Sequence, residues 1–379
     1  MKWPTVKLKS VTSKVGSGAT PKGGEAVYKN SGVPLIRSMN VHFDGFRRNG
    51  LVYIDEDEAS LLNYVEIQSD DVLFNITGAS IGRVTTAPAD MAGARVNQHV
   101  CILRPTDKLM PRFLSYYMRS PEQQVLVGSN QIGGTRQAVT KEMLLNWDIQ
   151  LPPLVEQERI VKQLDEADEL RKLRAQADRC TVNLIPALFH DMFGDPDRNS
   201  KGWPMKPFGD LVSNQDGRRK PVKASDRAAL KGEYPYYGAS GIIDYIEEYL
   251  FDETALLIGE DGANLLARST PIAFLAHGKY WVNNHAHVVT DNGKADLNYL
   301  CAALNLRDLT EYVTGSAQPK LNQANMNRMP IPVPPLPLQK EFSSRVSEIR
   351  ALQGEQTASH RRLDDLFKSM LHRAFQGEL

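Results

Sequence analysis

The sequence predicts an α+β fold in which one unit, a mostly-β globule followed by a long helix, occurs twice. The two helices pair antiparallel, so that the chain has a pseudo-two-fold internal repeat. Three observations lead there. First, Pro152-Pro153-Leu154-Val155-Glu156-Gln157 returns as Pro334-Pro335-Leu336-Pro337-Leu338-Gln339, an offset of 182 residues, and the same offset carries Gly133 to Gly315, Leu170 to Leu352, His190 to His372 and Phe193 to Phe375. Second, the stretches before each junction hold short apolar runs bounded by Gly, Pro, Asn and Asp. Third, a single apolar stripe at helical spacing follows each junction.

The β character of the globules rests on runs such as Val72-Leu73-Phe74-Asn75-Ile76, Val100-Cys101-Ile102-Leu103, Ala255-Leu256-Leu257-Ile258 and His287-Val288-Val289. Each has strand length and ends in turn-forming residues. Apolar spacing predicts helices over 111–126 and 296–313. Val96-Asn97-Gln98-His99 returns as Val282-Asn283-Asn284-His285, and Trp3-Pro4 as Trp203-Pro204. The Val-Asn-x-His pattern reads as a hydrogen-bonding feature at a strand end in preference to a contact with nucleic acid.

After the first junction, residues 155–185 carry a stripe through Ile160, Leu164, Leu170, Leu173 and Leu184. Pro186 should end or kink that helix about a turn earlier. The second stripe runs through Phe342, Val346, Ile349, Leu352, Leu363 and Leu366, with a weaker middle at Gly354, Gln356 and Ser359. These are the predicted helix-packing residues. The expected segments are a first globule over 1–153, a first helix over 154–194, a second globule over 195–335 and a second helix over 336–379. A helix of about 30 residues is about 45 Å long. One stripe on such a rod cannot be buried by the rod alone, so the two rods are expected to bury each other.

Composition narrows the class. The chain has 379 residues, with 41% hydrophobic and 24% charged residues and a formal net charge of zero. Such values exclude wholesale disorder and collagen. Cys101, Cys180 and Cys301 lie far apart and form no CxxC pair, so neither a zinc site nor a disulfide framework is encoded. No apolar run approaches the ~18–20 residues of a membrane span and the start lacks a signal peptide, so a cytoplasmic protein without a membrane partner is expected.

Two similar modules on a rigid spacer make a ruler. At ~3.4 Å per base pair, 45 Å corresponds to about 13 base pairs of double-stranded DNA, and diverged modules would read two different short sequences. Chemistry is absent: there is no G-x-x-x-x-G-K-[ST] phosphate loop and no H-E-x-x-H. Asp165-Glu166-Ala167-Asp168 reads as a solvated helix face. His285-Ala286-His287 places its imidazoles on opposite faces of a strand, against a metal site. No metal and no cofactor are expected in this chain.

These residues resemble the specificity subunits of type I restriction-modification systems. The resemblance covers the whole length and is carried by Pro152-Pro153-Leu154-Val155-Glu156-Gln157-Glu158, Tyr234-Pro235-Tyr236-Tyr237-Gly238-Ala239-Ser240-Gly241, Leu256-Leu257-Ile258-Gly259-Glu260-Asp261-Gly262 and the ending Phe375-Gln376-Gly377-Glu378-Leu379. The second junction departs from the pattern at Pro337-Leu338-Gln339-Lys340. The resemblance implies a non-catalytic subunit with two target-recognition domains and two spacer helices. It also implies assembly with two copies of an adenine-N6 methyltransferase subunit and with a restriction/translocase subunit, the partners carrying S-adenosylmethionine, ATP and Mg²⁺. A scaffold with two protein-binding β-rich modules is the alternative.

DNA-contact residues are expected in polar loops. Gly133, Gly134, Thr135, Arg136 and Gln137 precede the first junction and are matched by Ser316, Gln318 and Lys320 before the second. Glycine allows close approach to phosphate, while Arg and Gln can make paired bonds to guanine and adenine edges. Arg37, Ser38, Asn40, Arg47 and Arg48 form a second set. The densest basic run supplies Arg218, Arg219, Lys220 and Lys223, with Tyr236 and Tyr237 able to stack or pack. Residues 1–151 hold 17 basic and 14 acidic residues, and residues 194–333 hold 15 and 17. Neither globule is a strong polyanion binder, so weak DNA affinity is expected of the chain alone.

Overall fold

A computed structural model describes residues 3–129, 138–315 and 317–379. Five helices organise it: α1 (Pro111–Arg119), α2 (Leu154–Val182), α3 (Leu184–Phe193), α4 (Leu297–Leu306) and α5 (Leu336–Gln376). The chain divides into two units, one of Met1–Gln176 with Thr357–Leu379, the other of Ala177–Gln356. Both dividing points fall inside the long helices, so each unit contains a globule and a piece of both α2 and α5.

In the first unit, Val100–Pro105 lies between Thr12–Ser17 and Val72–Asn75, and Val84–Thr86 completes an antiparallel sheet of four strands. Alternation sends Val72, Phe74, Cys101 and Leu103 into a core shared with α1, the start of α2 and the end of α5. Leu73, Val100 and Ile102 point the other way, into a second core with Leu35, Ile36 and Val96. There Val33–Ile36 pairs antiparallel with Val52–Ile54 and parallel with Arg95–Val96.

The second unit repeats this order. Val212–Asn214, Ala286–Asp291, Ala255–Gly259 and Ala273–Ala276 form the antiparallel sheet. The parallel pair of the first unit, Ile36 beside Val96, returns as Tyr237 beside Val282. A short pair closes each globule at its junction, Thr5–Lys7 with Asp148–Gln150 and Met205–Pro207 with Pro330–Pro332.

The junction glutamine explains why the repeat is ungapped there. Gln157 is fully buried; its Nε2 donates to Lys108 O and Pro152 O at 2.9 Å, and its Oε1 accepts from Met110 N at 2.8 Å. Gln339, also fully buried, donates to Pro334 O at 2.7 Å and accepts from Asp296 N at 2.9 Å. Each side chain ties the start of a long helix to the start of α1 or α4. Gln339 keeps this role although its neighbours depart from the first junction.

Within each unit the long helices run antiparallel. In the first, Arg159 Nη2 donates to Leu379 O, while further along α2 Arg171 Nε bonds Asp364 Oδ1 at 2.7 Å. In the second, Thr181 Oγ1 donates to Gln356 Oε1 at 2.8 Å, and Phe189 meets Phe342 edge to face at 5.7 Å. Ile160, Leu164, Phe342 and Val346 are buried as the stripe predicts, and Ile349 and Leu363 are half-buried.

Several stripe residues are not in the seam. Leu170, Leu173, Leu184, Leu352 and Leu366 are exposed, at 38% to 54%. A step of three residues turns about 60° short of a full helical turn, so the run Leu164, Ala167, Leu170, Leu173 walks off the buried face. Beyond Ala167 the interface is closed by polar and aromatic groups instead. Asp168, expected on a solvated face, is 3% exposed and pairs with Arg119 at 3.3 Å and Arg171 at 3.1 Å. On the first-unit part of α5 the buried positions are Phe367, Leu371, Ala374 and Phe375.

Other boundaries also shift. The expected helix over 111–126 is two helices, because Pro121 forces Ser120 into an extended conformation. The one over 296–313 stops at Leu306. α2 ends at Val182 and α3 starts at Leu184 after the single residue Asn183, which places Pro186 in a first turn where its missing N–H costs nothing. α5 is unbroken through Gly354, and buried Gln356 accepts the Thr181 hydroxyl in its middle.

This seam is testable by truncation. Phe367→Ala should lower unfolding stability by about 3–5 kcal/mol, whereas Leu366→Ala, one residue away, should change it by less than about 0.5 kcal/mol. Urea unfolding followed by circular dichroism separates the two; equal effects would place the seam elsewhere.

Candidate nucleic-acid interface

The same corner is built at one end of the central sheet in both units. In the first, buried Asn97 accepts the backbone N–H of His99 at 3.0 Å, and its own N–H donates to Ile36 O at 3.1 Å. In the second, Asn283 accepts from His285 N at 2.8 Å and donates its N–H to Tyr237 O at 3.1 Å. The Val-Asn-x-His pattern is therefore a strand-end hydrogen-bonding feature. It aims the histidine away from the core: His99 Nδ1 meets Thr77 Oγ1, and His285 Nδ1 meets Asp261 at 2.8 Å.

The loops expected to contact DNA return to this corner. Ala138, which ends the first loop, forms an antiparallel bridge with Thr77, and Lys320, which ends the second, forms one with Asp261. Thr314 pairs with Lys320 to close the second loop, where Gly315 adopts φ +85°. Gln318 is exposed. Gly133, Gly134, Thr135, Arg136, Gln137 and Ser316 lie outside the described residues.

A third segment joins the corner in each unit. In the first it is Arg37–Asn40, where Asn75 Nδ2 donates to Ser38 O at 2.9 Å. In the second it is the turn between Lys231–Gly238 and Gly241–Ile246, where a Cβ on Gly259 would meet Ala239 O at 2.9 Å. Asn40 is not available to a ligand. It is fully buried, accepts from Arg37 N at 2.9 Å and donates to Arg47 O at 2.9 Å, so it shapes the loop. Tyr236 and Tyr237 are also structural. Tyr236 is 1% exposed with its hydroxyl on Val222 N, and Tyr237 packs between Phe274 and Tyr280.

Most of the expected cations already have anions. Arg47 pairs with Asp44 at 2.9 Å, Arg48 with Asp90 at 2.8 Å and Arg218 with Glu253 at 2.6 Å. Arg218 also lies over the Phe251 ring. Arg37 donates to Gly50 O at 2.7 Å and covers the Tyr28 ring. Lys220 and Lys223 are exposed and have no ion-pair partner among the described residues. Lys320 reaches Glu260 at 3.1 Å.

Sequence reasoning missed a buried ionic network behind the second corner. Arg219 bridges Glu260 at 2.6 Å and Asp216 at 3.4 Å. His287, 1% exposed, puts Nδ1 2.6 Å from Asp216 and Nε2 2.8 Å from Leu321 O. Both ring nitrogens therefore face oxygen atoms of the fold. The first unit has Cys101 at the matching strand position, so the network belongs to one copy. The dense Arg218-Arg219 run was its sequence signal. Among the described residues no group of three or more His, Cys, Asp or Glu is placed to hold a metal ion, and no helix is long and apolar enough to cross a membrane.

Burial alone would push the Asp216 carboxyl up, but His287, the Val288 N–H and Arg219 hold it below its ordinary value. Burial likewise opposes ionisation of Glu260, and Arg219, His287 and Lys320 outweigh it. Carboxylates lowered in the folded state stabilise it fully above their unfolded values near about pH 4. That contribution is lost as pH falls through the lowered folded values. Asp216→Asn should therefore reduce thermal stability at pH 7 and flatten the loss on acidification; an unchanged slope below pH 4 would contradict the network.

Comparison with known proteins gives a consistent family. The family model described as "Type I restriction modification DNA specificity domain" matches residues 1–177 and 200–358. A Haemophilus influenzae protein assigned as a type I restriction enzyme specificity subunit is 38% identical over 152 residues, covering 40% of this chain and 38% of that protein. A specificity subunit of a type I restriction enzyme from Methanocaldococcus jannaschii is 21% identical over 386 residues, covering 92% of this chain and 86% of its own. The fold is that of the type I restriction-modification S subunit from M. genitalium, with a TM-score of 0.61 at 16% identity over 99% of this chain and 96% of that one. A chain from a structure of type I R-M complex assembly and conformational transition gives a TM-score of 0.64 at 19% identity, over 100% and 98%.

Proposed function

Since the chain belongs to the type I restriction modification DNA specificity family, we propose that it is the sequence-reading subunit of such a complex. Each unit reads one half of a bipartite, asymmetric double-stranded DNA target through the loops of its Val-Asn-x-His corner. The paired helices set the unread gap and dock two copies of an adenine-N6 methyltransferase subunit, with a restriction/translocase subunit completing the assembly. S-adenosylmethionine, ATP and Mg²⁺ belong to those partners, and this chain carries no catalytic residues.

One observation carries the reading. The backbone of the corner is the same in both units, down to the bridges Thr77–Ala138 and Asp261–Lys320, while the loops it presents differ in sequence. A conserved frame with divergent loops suits two readers of different sequences. Base-edge hydrogen bonds specify and phosphate contacts position. Most of the expected corner cations among the described residues are already paired, which leaves those groups little free charge for phosphates.

Replacing residues 195–335 with another recognition globule, in a complex with the cognate methyltransferase, should change one half of the methylated sequence and leave the other. Mapping of N6-methyladenine reads the outcome; an unchanged target with altered protein partners would instead mark a protein-binding scaffold. Inserting four residues at matched points of α2 and α5 adds about 6 Å, so the methylated half-sites should move apart by ~2 base pairs. Unchanged spacing would remove the helices from that role.

A further inference from the structure

The second unit contains a groove of about 720 Å³ whose counterpart in the first unit is filled. Its apolar wall is formed by Ile185, Ala302, Leu306, Phe274 and Val346, from α3, α4, α5 and the sheet edge. Buried Cys301 forms part of the floor, its thiol pushed up to about 11 by burial.

The repeat shows what is missing. The hydrogen bonds of Gln157 to Met110 and of Gln339 to Asp296 fix the registers: α1 maps onto α4 at an offset of 186, and the long helices at 182. Phe113–Phe375 and Tyr299–Phe193 are then equivalent edge-to-face pairs, at 5.2 and 4.8 Å. One turn away the copies part. Tyr116 and Phe367 lie edge to face at 6.2 Å in the first unit, and their equivalents are Ala302 and Ile185. Both rings of the plug are gone.

The charge at one position of the wall is inverted as well. Asp168, which pairs with Arg119 and Arg171 beside the plug, is matched by Arg350. Arg350 donates to Asn298 Oδ1 at 2.8 Å and has no carboxylate partner among the described residues. Arg268 and His277 also line the groove, and no acidic residue does. An apolar slot sized for aromatic rings, with a cationic rim, is complementary to an anion-flanked aromatic side chain.

We propose that this groove is a docking site for an acidic segment of a partner protein that inserts an aromatic side chain between α3, α4 and α5. Because the first unit closes the equivalent place with its own Tyr116 and Phe367, among the described residues the second unit alone offers this site. It serves a partner that distinguishes the two repeats, unlike subunits that dock on both alike.

The test uses the full chain and a fluorescein-labelled peptide in which two phenylalanines are set among aspartates and glutamates. Fluorescence anisotropy should show saturable binding that weakens with salt and is lost when the phenylalanines are replaced by alanine. Ala302→Tyr with Ile185→Phe, which rebuilds the plug, should weaken binding at least about tenfold. Arg350→Glu, a change at an exposed position that leaves the apolar wall intact, should weaken it about fivefold or more. Thermal unfolding of each variant shows whether it folds, and Arg350→Glu decides alone if the plugged variant does not. No binding to the unaltered chain, binding to the variants as tight as to the unaltered chain, or equal binding of a peptide with its acids neutralised would each overturn the proposal.

Discussion

Two long helices with one narrow apolar stripe apiece cannot bury themselves, and the rest of the molecule follows from how they are buried. They pair antiparallel within each unit, and an aromatic anchor closes each pairing. Phe375 at the end of α5 packs on Phe113 and Tyr117, and Phe193 at the end of α3 packs on Tyr299 and Phe342. Thus each globule is held by the end of the helix belonging to the other repeat. The first unit is discontinuous in sequence for this reason. Its core needs Phe367, Leu371, Ala374 and Phe375, which are among the last residues of the chain. Long-range closure of this kind carries an entropic cost, and the buried junction glutamines offset part of it by fixing where each helix leaves its globule.

That frame separates what must stay constant from what can vary. Asn97 and Asn283 satisfy backbone groups at the sheet end, so the corner keeps its geometry whatever the adjacent loops contain. Among the described residues the cations of those loops are mostly paired within the chain. The ionic network behind the second corner fits this division: it is buried, it stiffens the base of one loop, and it contributes little field to the surface.

The fold was legible in the sequence where a repeat and a period agreed. The junction prolines, the offset of 182 and the alternation of Val72–Asn75 and Val100–Leu103 each named an element that exists. The seam was legible only in part, because apolar identity at steps of three does not keep a residue on one face; Leu170 and Leu173 are the result. Asp168 was misplaced because a charged residue reads as solvated until its partner, Arg119, is brought from 49 positions away. The corner was half visible. Val-Asn-x-His announced itself by repetition, but Asp261 and Thr77 are ordinary polar residues until the strands align them with His285 and His99. Asn40 and Tyr236 looked like contact residues because polar and aromatic side chains serve equally well inside a loop's own scaffold.

Duplication also lets the copies diverge in pairs of positions, and the pattern of that divergence is informative. Losing a single ring from a packed interface leaves a void that costs stability, because the surroundings relax into it only partly. Here two facing rings, Tyr116 and Phe367, are matched by two smaller residues, Ala302 and Ile185, and the space between them stays open. The acid that neutralised the arginines around those rings is matched by Arg350 in the same step. Relaxation of a core would replace large residues with others that fill the volume, and it would not place at the wall a guanidinium that has no carboxylate partner among the described residues. Lost volume, a retained apolar lining and reversed charge at one position are the features that a segment from outside the chain, apolar at its tip and negative around it, would complete.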